Sequence, residues 1–400
     1  MSAARQQSRS TRVFMMDLLA TVPYYTAYLS QALLREDSVD LTVGSIDYYL
    51  DPKCFSSRGI RLDPGLINSV GRFNLPKLPR RLLKLAESML NLAALTARFA
   101  VSPPDVVHVQ FLPMLRSRLP LDLWFIAMCQ RRGAKIVLTV HDLLPHDSGE
   151  AHKAAYAHLY QRVDALICHS DSIRARLMAE FAVPEAKISV IPHGPFFYDL
   201  PASDDDKVLR EFALPAEQLM VLWQGIIFPY KGIDLLLTAW KQVEAQSTDA
   251  WLVIAGTGSP DLLEQIRAQV AALELKRVAL HFRFISTEEL VALYRRADVV
   301  VYPYRAITTS GALATGLALG KTIVATDLPV FRELLRDGEN ARLVPGFDAP
   351  ALASALTGLL QDPALREKLA SAVRTMRFGD ESWLAIAKQT AEVYRRVSGY

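Results

Sequence analysis

Thr308, Thr309 and Ser310 stand directly ahead of Gly311 and Ala312, three hydroxyls before two small residues. That combination suits a phosphate. Thr309 or Ser310 can cap a helix whose opening amides lack intrahelical partners, and those amides, at the positive end of the helix dipole, attract an anion. Gly311, Ala312, Ala314 and Gly316 keep the backbone open to a bulky ligand, and Gly320 is where the helix should stop in a left-handed turn. A second candidate is Lys231, in the run Trp223 to Gly232 (WQGIIFPYKG), where a strand enters a loop. Its ammonium can reach the same phosphate if both loops leave one carboxyl edge of a sheet. A third is His141, just after the apolar run Lys135 to Val140. A lone histidine there is more often structural, and capped strand-loop-helix units without a ligand are common, so these patterns alone assign no function.

Other motifs are set aside on chemical grounds. Ala255 to Asp261 (AGTGSPD) begins like a dinucleotide fingerprint, but Asp261 replaces the third glycine and would place a carboxylate against a pyrophosphate. Asp204 and Asp206 offer two carboxylates to a divalent metal, yet they fall in a polar stretch rather than at a strand end. Cys54, Cys129 and Cys168 have no metal-ligand spacing, and their odd number argues against a disulfide framework and for a reducing compartment. No metal or resident cofactor is therefore expected. A formal charge of +3 over 400 residues is too mild for a nucleic-acid partner.

The elements that must position these residues form a βαβ rhythm. Strand-like runs at Arg12 to Leu19, Asp105 to Val109, Lys135 to Val140, Ala165 to His169 and Ile188 to Ile191 alternate with helical runs at Thr26 to Leu34, Leu121 to Arg132, Glu150 to Arg162 and Ser172 to Phe181. Pro192 to Leu214, with three prolines and an acidic cluster, reads as a linker. The rhythm resumes with strands at Leu219 to Gly225, Trp251 to Ala255, Val278 to Phe282, Val299 to Tyr302 and Lys321 to Thr326. The expected domains are 1–200, 215–380 and a carboxy-terminal helix, 381–400, that crosses back to the first. Val13 to Tyr25 is interrupted by Asp17 and Pro23 and reads as a strand rather than a signal peptide. Leu78 to Ala100 carries Arg80, Arg81 and Lys84 among leucines: a basic amphipathic helix that packs on a sheet or lies on an anionic bilayer.

Several of these stretches, in this order, resemble the family-4 retaining glycosyltransferases of GT-B fold. The amino-terminal half contributes Asp105-Val106-Val107-His108, Thr139-Val140-His141-Asp142, Ala165 to Ser170 and Val190 to Gly194; the second half contributes Gly225 to Leu237, Val253 to Gly258, Phe284 to Asp298, Pro303 to Gly320 and Ala325 to Pro329 with Glu333 and Asp337-Gly338. The resemblance implies an α/β protein of GT-B architecture, two doubly wound parallel-sheet (Rossmann-like) domains facing across a cleft. It implies a nucleotide-diphosphate sugar as donor substrate, bound mostly by the second domain, and transfer with retained anomeric configuration. By position, His141 and Lys231 become the catalytic candidates. Gly225, Phe284, Ile285, Ser286, Thr308, Thr309, Ser310, Gly311, Ala312 and Thr315 become donor-binding candidates, and Tyr24, Tyr25 and His108 lie on the acceptor side.

Three features depart from the family pattern. Its two glutamates, eight residues apart, correspond to Ile307 and Thr315; the arginine that accompanies the loop lysine corresponds to Ile226 or Phe228; and its glycine-rich first loop is here Thr21-Val22-Pro23-Tyr24-Tyr25. Threonines can replace hydroxyl contacts but not charge. Beside a GT-B sugar epimerase, which would hydrolyse donor without an added acceptor, two readings follow. One is a cytoplasmic hexosyltransferase of polysaccharide biosynthesis, peripheral at the inner membrane face, acting on a surface-glycan or lipid-linked acceptor, with Arg116 and Arg118 beside the basic helix on the acceptor side. The other is a catalytically weak or inactive GT-B protein that binds a sugar nucleotide or partners another transferase.

Overall fold

The computed structural model describes residues 9–73, 76–112, 114–115, 121–145, 149–200, 205–212, 217–247, 249–376 and 378–399. The chain divides into two compact units, one of residues 1–192 with 383–400 and one of 193–382. Arg116, Arg118, Asp204 and the side chain of Asp206 lie outside what is described.

The first unit runs β1 (Thr11–Asp17), α1 (Pro23–Leu33), β2 (Val39–Ser45), α2 (Lys77–Val101), β3 (Val106–Val109), α3 (Leu121–Arg131), β4 (Lys135–Thr139), α4 (Gly149–Arg162), β5 (Ala165–Cys168), α5 (Asp171–Phe181) and β6 (Ile188–Val190). Its strands are parallel in the order β2-β1-β3-β4-β5-β6. The second unit contains α6 (Asp205–Glu211), β7 (Leu219–Gln224), α7 (Ile233–Gln246), β8 (Ala250–Ala255), α8 (Pro260–Ala272), β9 (Val278–His281), α9 (Thr287–Arg296), β10 (Val299–Tyr302), α10 (Gly311–Ala318), β11 (Ile323–Thr326), α11 (Pro329–Arg332), β12 (Arg342–Val344), α12 (Ala349–Gln361) and α13 (Pro363–Arg374). These strands are parallel in the order β12-β11-β10-β7-β8-β9. A final helix, α14 (Asp380–Ser398), lies mostly in the first unit. Both sheets are doubly wound and Rossmann-like.

Burial explains the elements. Each residue of β10 is buried, as a strand covered by helices on both faces must be. Two of the four edge strands escape the sequence reading: β2 alternates half-exposed residues before burying Val43 to Ser45, and β12 has three residues. The linker reading needs correcting too. Residues 205–211 form α6, Phe212 and Leu209 join the second unit's core, and Arg295 binds both Asp205 (3.3 Å) and the Leu200 carbonyl (3.0 Å).

The order of the second sheet matters most for function. The chain proceeds β7-β8-β9 in one direction and β10-β11-β12 in the other, so the reversal falls between β7 and β10, which pair through Val221–Val299 and Leu222–Val300. In such sheets the loops beyond the carboxyl ends of the two strands at the reversal open a ligand crevice. Here those loops are 225–232, with Lys231, and 303–310, leading into α10.

Candidate functional site

Lys231 sits on a single helical turn, Pro229–Lys231, closed by Gly232 at φ +68°. A Cβ on Gly232 would lie 1.9 Å from the Pro303 carbonyl oxygen, so only glycine lets this turn rest on the loop after β10. Arg305 fastens the two together. Its amide donates to the Tyr230 carbonyl (2.7 Å), and its guanidinium donates to the Pro229 carbonyl (2.7 Å) and, as a fork, to Asp234 (2.8 and 2.6 Å). The lysine Nζ is carried over Gly225, whose added Cβ would stand 2.9 Å from it, with the Trp223 and Tyr304 rings 5.8 and 5.6 Å away. The ammonium forms no ion pair among the described residues, and desolvation pushes its pKa down to about 8. It is a cation held ready for an anion.

A second candidate anion-binding feature is the start of α10. Ser310 caps the helix, its Oγ accepting from the Leu313 amide (3.1 Å), while the Gly311 and Ala312 amides have no partner among the described residues. The first turn is anchored from beneath by hydroxyls that the sequence reading missed. Tyr302 and Tyr294 both donate to the Ala312 carbonyl (2.8 and 3.0 Å), and Gln224 donates to Tyr294 (2.7 Å).

The expected donor residues divide into two groups. Thr309, Ser310, Gly311 and Ala312 are partly exposed at the α10 entrance. Thr315 is not: it is 2% exposed, its hydroxyl donates to the Gly311 carbonyl (2.9 Å) and accepts from the Phe196 amide (3.4 Å). Thr308 is likewise buried. Phe196 and His193 rest against Gly311, whose added Cβ would lie 2.7 and 3.2 Å from their rings. Phe284, Ile285 and Ser286 follow β9, two strands from β7, about 10 Å sideways at the usual strand spacing. Ser286 and Glu289 form a capping box on α9, and Arg283 pairs with Glu289 (2.6 Å), which stiffens that loop.

In the first unit His141 follows β4, and its Nε2 donates to Gln110 Oε1 (3.0 Å). Gln110, buried, turns its amide nitrogen to His108 Nε2 (3.1 Å); His108 also meets the Thr139 hydroxyl (2.8 Å) and, through Nδ1, the Tyr394 hydroxyl of α14 (2.6 Å). His108 is fully buried, and desolvation pushes its pKa down to about 3, so the acceptor-side expectation fails and His108 is a neutral core residue. Tyr25 is 2% exposed and packs edge-on to the His141 ring at 4.7 Å, which makes it a support rather than an acceptor contact. Tyr24 is partly exposed and donates to Asp51 (3.2 Å). The first loop has its own acceptor: the buried Asp17 carboxyl, its pKa raised by desolvation, accepts from the Thr21 and Val22 amides (2.9 and 3.0 Å). Those amides are engaged within the protein, which accounts for a first loop without glycines.

Comparison with known proteins fits this geometry. The model for "Glycosyltransferase Family 4" matches residues 23–194, and that for "Glycosyl transferases group 1" matches residues 204–376. The chain is a GT-B protein related to both glycosyltransferase families. Phosphatidyl-myo-inositol mannosyltransferase of Mycobacterium leprae is 37% identical over 175 residues, 42% of this chain and 44% of that protein, so the match spans less than half the relative's length. Among solved structures, a glycosyltransferase from Rickettsia africae superposes with a TM-score of 0.71 at 16% identity, covering 98% of this GT-B protein and 99% of the other chain. Anabaena HepE in complex with UDP-glucose gives 0.72 at 17% identity, covering 96% and 99%. The described residues of this GT-B protein contain no group of three or more His, Cys, Asp or Glu able to hold a metal ion, and no helix long and apolar enough to cross a membrane.

Proposed function

We propose that this protein is a retaining hexosyltransferase that takes a sugar from a nucleoside diphosphate and transfers it to a glycan or lipid-linked acceptor. The observation that carries the reading is the placement of an ammonium, Lys231, and two amides, Gly311 and Ala312, without an ion-pair or hydrogen-bond partner among the described residues, on the loop after β7 and at the start of the helix that follows the loop after β10. As the glycosidic bond stretches, the leaving diphosphate gains negative charge. A preorganised cation and N–H donors at that position stabilise the transition state more than the ground state, which is the charge compensation a metal would otherwise supply. Phe284 to Ser286 lie at a suitable distance for the nucleoside end. The known complex of HepE with UDP-glucose supports a nucleotide sugar as the ligand class.

The family resemblance assigns the role of meeting the transferred sugar to His141. Gln110 Oε1 can only accept, so it holds His141 as the Nε2–H tautomer and leaves Nδ1 as the accepting nitrogen of the neutral ring. Gln110→Leu is expected to lower kcat about tenfold, the worth of one hydrogen bond of roughly 1.4 kcal/mol, with nucleotide affinity unchanged. Steady-state kinetics beside calorimetric titration with nucleotide would check this, and an equal loss in both would make Gln110 merely structural.

A second reading, a GT-B protein that binds a sugar nucleotide without turnover, draws on one observation. Thr315, at the position of the second family glutamate, is buried and engaged with Gly311 and Phe196, so it lends the donor neither charge nor hydroxyl. Titration with a panel of nucleotide sugars, followed by assay of nucleotide release on adding cell lipid extract, separates the two. Binding without release in any extract would support the second reading.

The acceptor side includes a cytoplasmic, peripheral position at the inner membrane face. Leu78, Leu82, Met89 and Leu90 of α2 are exposed along one side of the helix, with Arg81 also exposed near its start. Leu82→Glu combined with Leu90→Glu is expected to cut binding to phosphatidylglycerol-containing vesicles at least about tenfold, since each inserted leucine contributes ~1.5–3 kcal/mol. Cosedimentation with those vesicles and with pure phosphatidylcholine would show it, and undiminished binding would rule out α2 as the contact.

A further inference from the structure

Between β2 and α2 the chain spends residues 46–73 on irregular backbone with two single turns, far more than a strand-to-helix connection requires. Such a stretch keeps one shape only if its polar backbone is tied down, and α2 commits buried side chains to that task. Asn91, fully buried, accepts from the Ile67 amide (2.7 Å) and donates to its carbonyl (2.9 Å). Glu87 accepts from the Ser69 and Val70 amides (2.6 and 3.2 Å), while its other oxygen is buried with no partner among the described residues. Arg98 pairs with buried Asp63 (2.5 Å), and the Asp63 amide donates to the Val43 carbonyl of β2 (2.8 Å). Burying an incompletely paired carboxylate to shape a loop is costly; the shape it secures is a cavity.

That cavity has a volume of about 540 Å³, within the range of small-molecule sites. Its walls include the apolar Phe55, Ile60 and Leu66, all buried. Asp47, Asn68 and Arg72 also line it. Asn68 Oδ1 accepts from the Asp47 amide (2.9 Å), which fixes the carboxamide, and its nitrogen has no partner among the described residues. Arg72, 65% exposed, stands 3.7 Å from the Asp47 carboxylate, too far for a hydrogen bond. An accepting carboxylate, a fixed amide donor and a guanidinium over an apolar floor match a pyranose, whose vicinal hydroxyls both donate and accept and whose C–H face is apolar. A phosphate would meet Asp47 and Asp63.

We infer that this cavity is a saccharide-binding site for an uncharged hexopyranose unit. The inference stands without the transferase reading; joined to it, it makes the acceptor a saccharide. The test uses the full chain and saturation-transfer NMR with the methyl α-glycosides of glucose, mannose and galactose, beside calorimetric titration with nucleoside diphosphates. At least one glycoside is expected to bind saturably and to be weakened at least about fivefold by Asn68→Ala and by Arg72→Ala, the loss of one polar contact each. Inorganic phosphate should not compete. Arg72 is exposed enough for its variant to keep the fold, and unchanged nucleotide binding would verify folding in both. Failure of all three glycosides to bind, or binding indifferent to both substitutions, overturns the inference. Nucleotide binding without glycoside binding sinks this site and leaves the donor site standing; glycoside binding without nucleotide binding does the reverse.

Discussion

Lys231→Met is expected to lower glycosyl transfer at least about a hundredfold, the size of effect that removal of one transition-state donor has, while raising the melting temperature. The two effects share a cause. In the folded protein the Lys231 pKa falls from 10.5 to about 8 through desolvation. A cation whose folded pKa lies below its unfolded value is a burden on the fold below about pH 8; the burden lifts as pH rises from 8 towards 10.5, where the unfolded chain binds the extra proton. Methionine removes that charge and can occupy the space between Trp223 and Tyr304, for a gain on the order of 1–3 kcal/mol at neutral pH. The same titration predicts weaker diphosphate binding as pH rises through about 8 in the wild type and a flat profile in the variant. Thermal melts and nucleotide titrations at several pH values would decide it. A variant that melts lower, or transfers at near-normal rates, removes Lys231 from its role.

Gly232→Ala is expected to cost at least about tenfold in nucleoside diphosphate affinity and to lower the melting temperature by several degrees. Alanine at φ +68° carries the left-handed penalty, roughly 1–2 kcal/mol. Its methyl would also meet the Pro303 carbonyl oxygen at 1.9 Å, a backbone atom held by the neighbouring Arg305 contacts. The turn must lift, and the lysine with it. Gly338, at φ +72° with nothing within 4 Å of an added Cβ, supplies the comparison: Gly338→Ala bears the backbone penalty alone. Equal effects of the two substitutions on nucleotide affinity would show that the seat on Pro303 is irrelevant to the ligand.

The strands that carry the candidate site were legible because β7, β8 and β10 are unbroken apolar runs, and the α10 cap because Ser310 precedes small residues. Arg305 and the Tyr294–Tyr302 pair were not, since their partners depend on β10 lying beside β7, a pairing between segments some 75 residues apart that no local pattern encodes. Two misplacements had readable signals. His108 stands inside Val-Val-His-Val, a run apolar enough to be wholly buried, where an imidazole must find core partners. Thr315 is four residues after Gly311, the spacing at which a helical threonine returns its hydroxyl to a carbonyl one turn back.

Tyr394 bonds to His108, Trp383 stacks on Tyr28 with ring centres 5.5 Å apart, and Arg396 reaches Ser189, all within the unit that begins at the amino terminus. On the ribosome, residues 1–192 therefore emerge without the helix that closes their own core, and the stretch 193–382 is synthesised whole before that helix appears. A recombinant fragment cut at Pro192 should show exposed tyrosines and a propensity to aggregate, whereas 193–382 should be soluble alone. Fusing 383–399 behind residue 192 through a flexible spacer should restore the shorter piece.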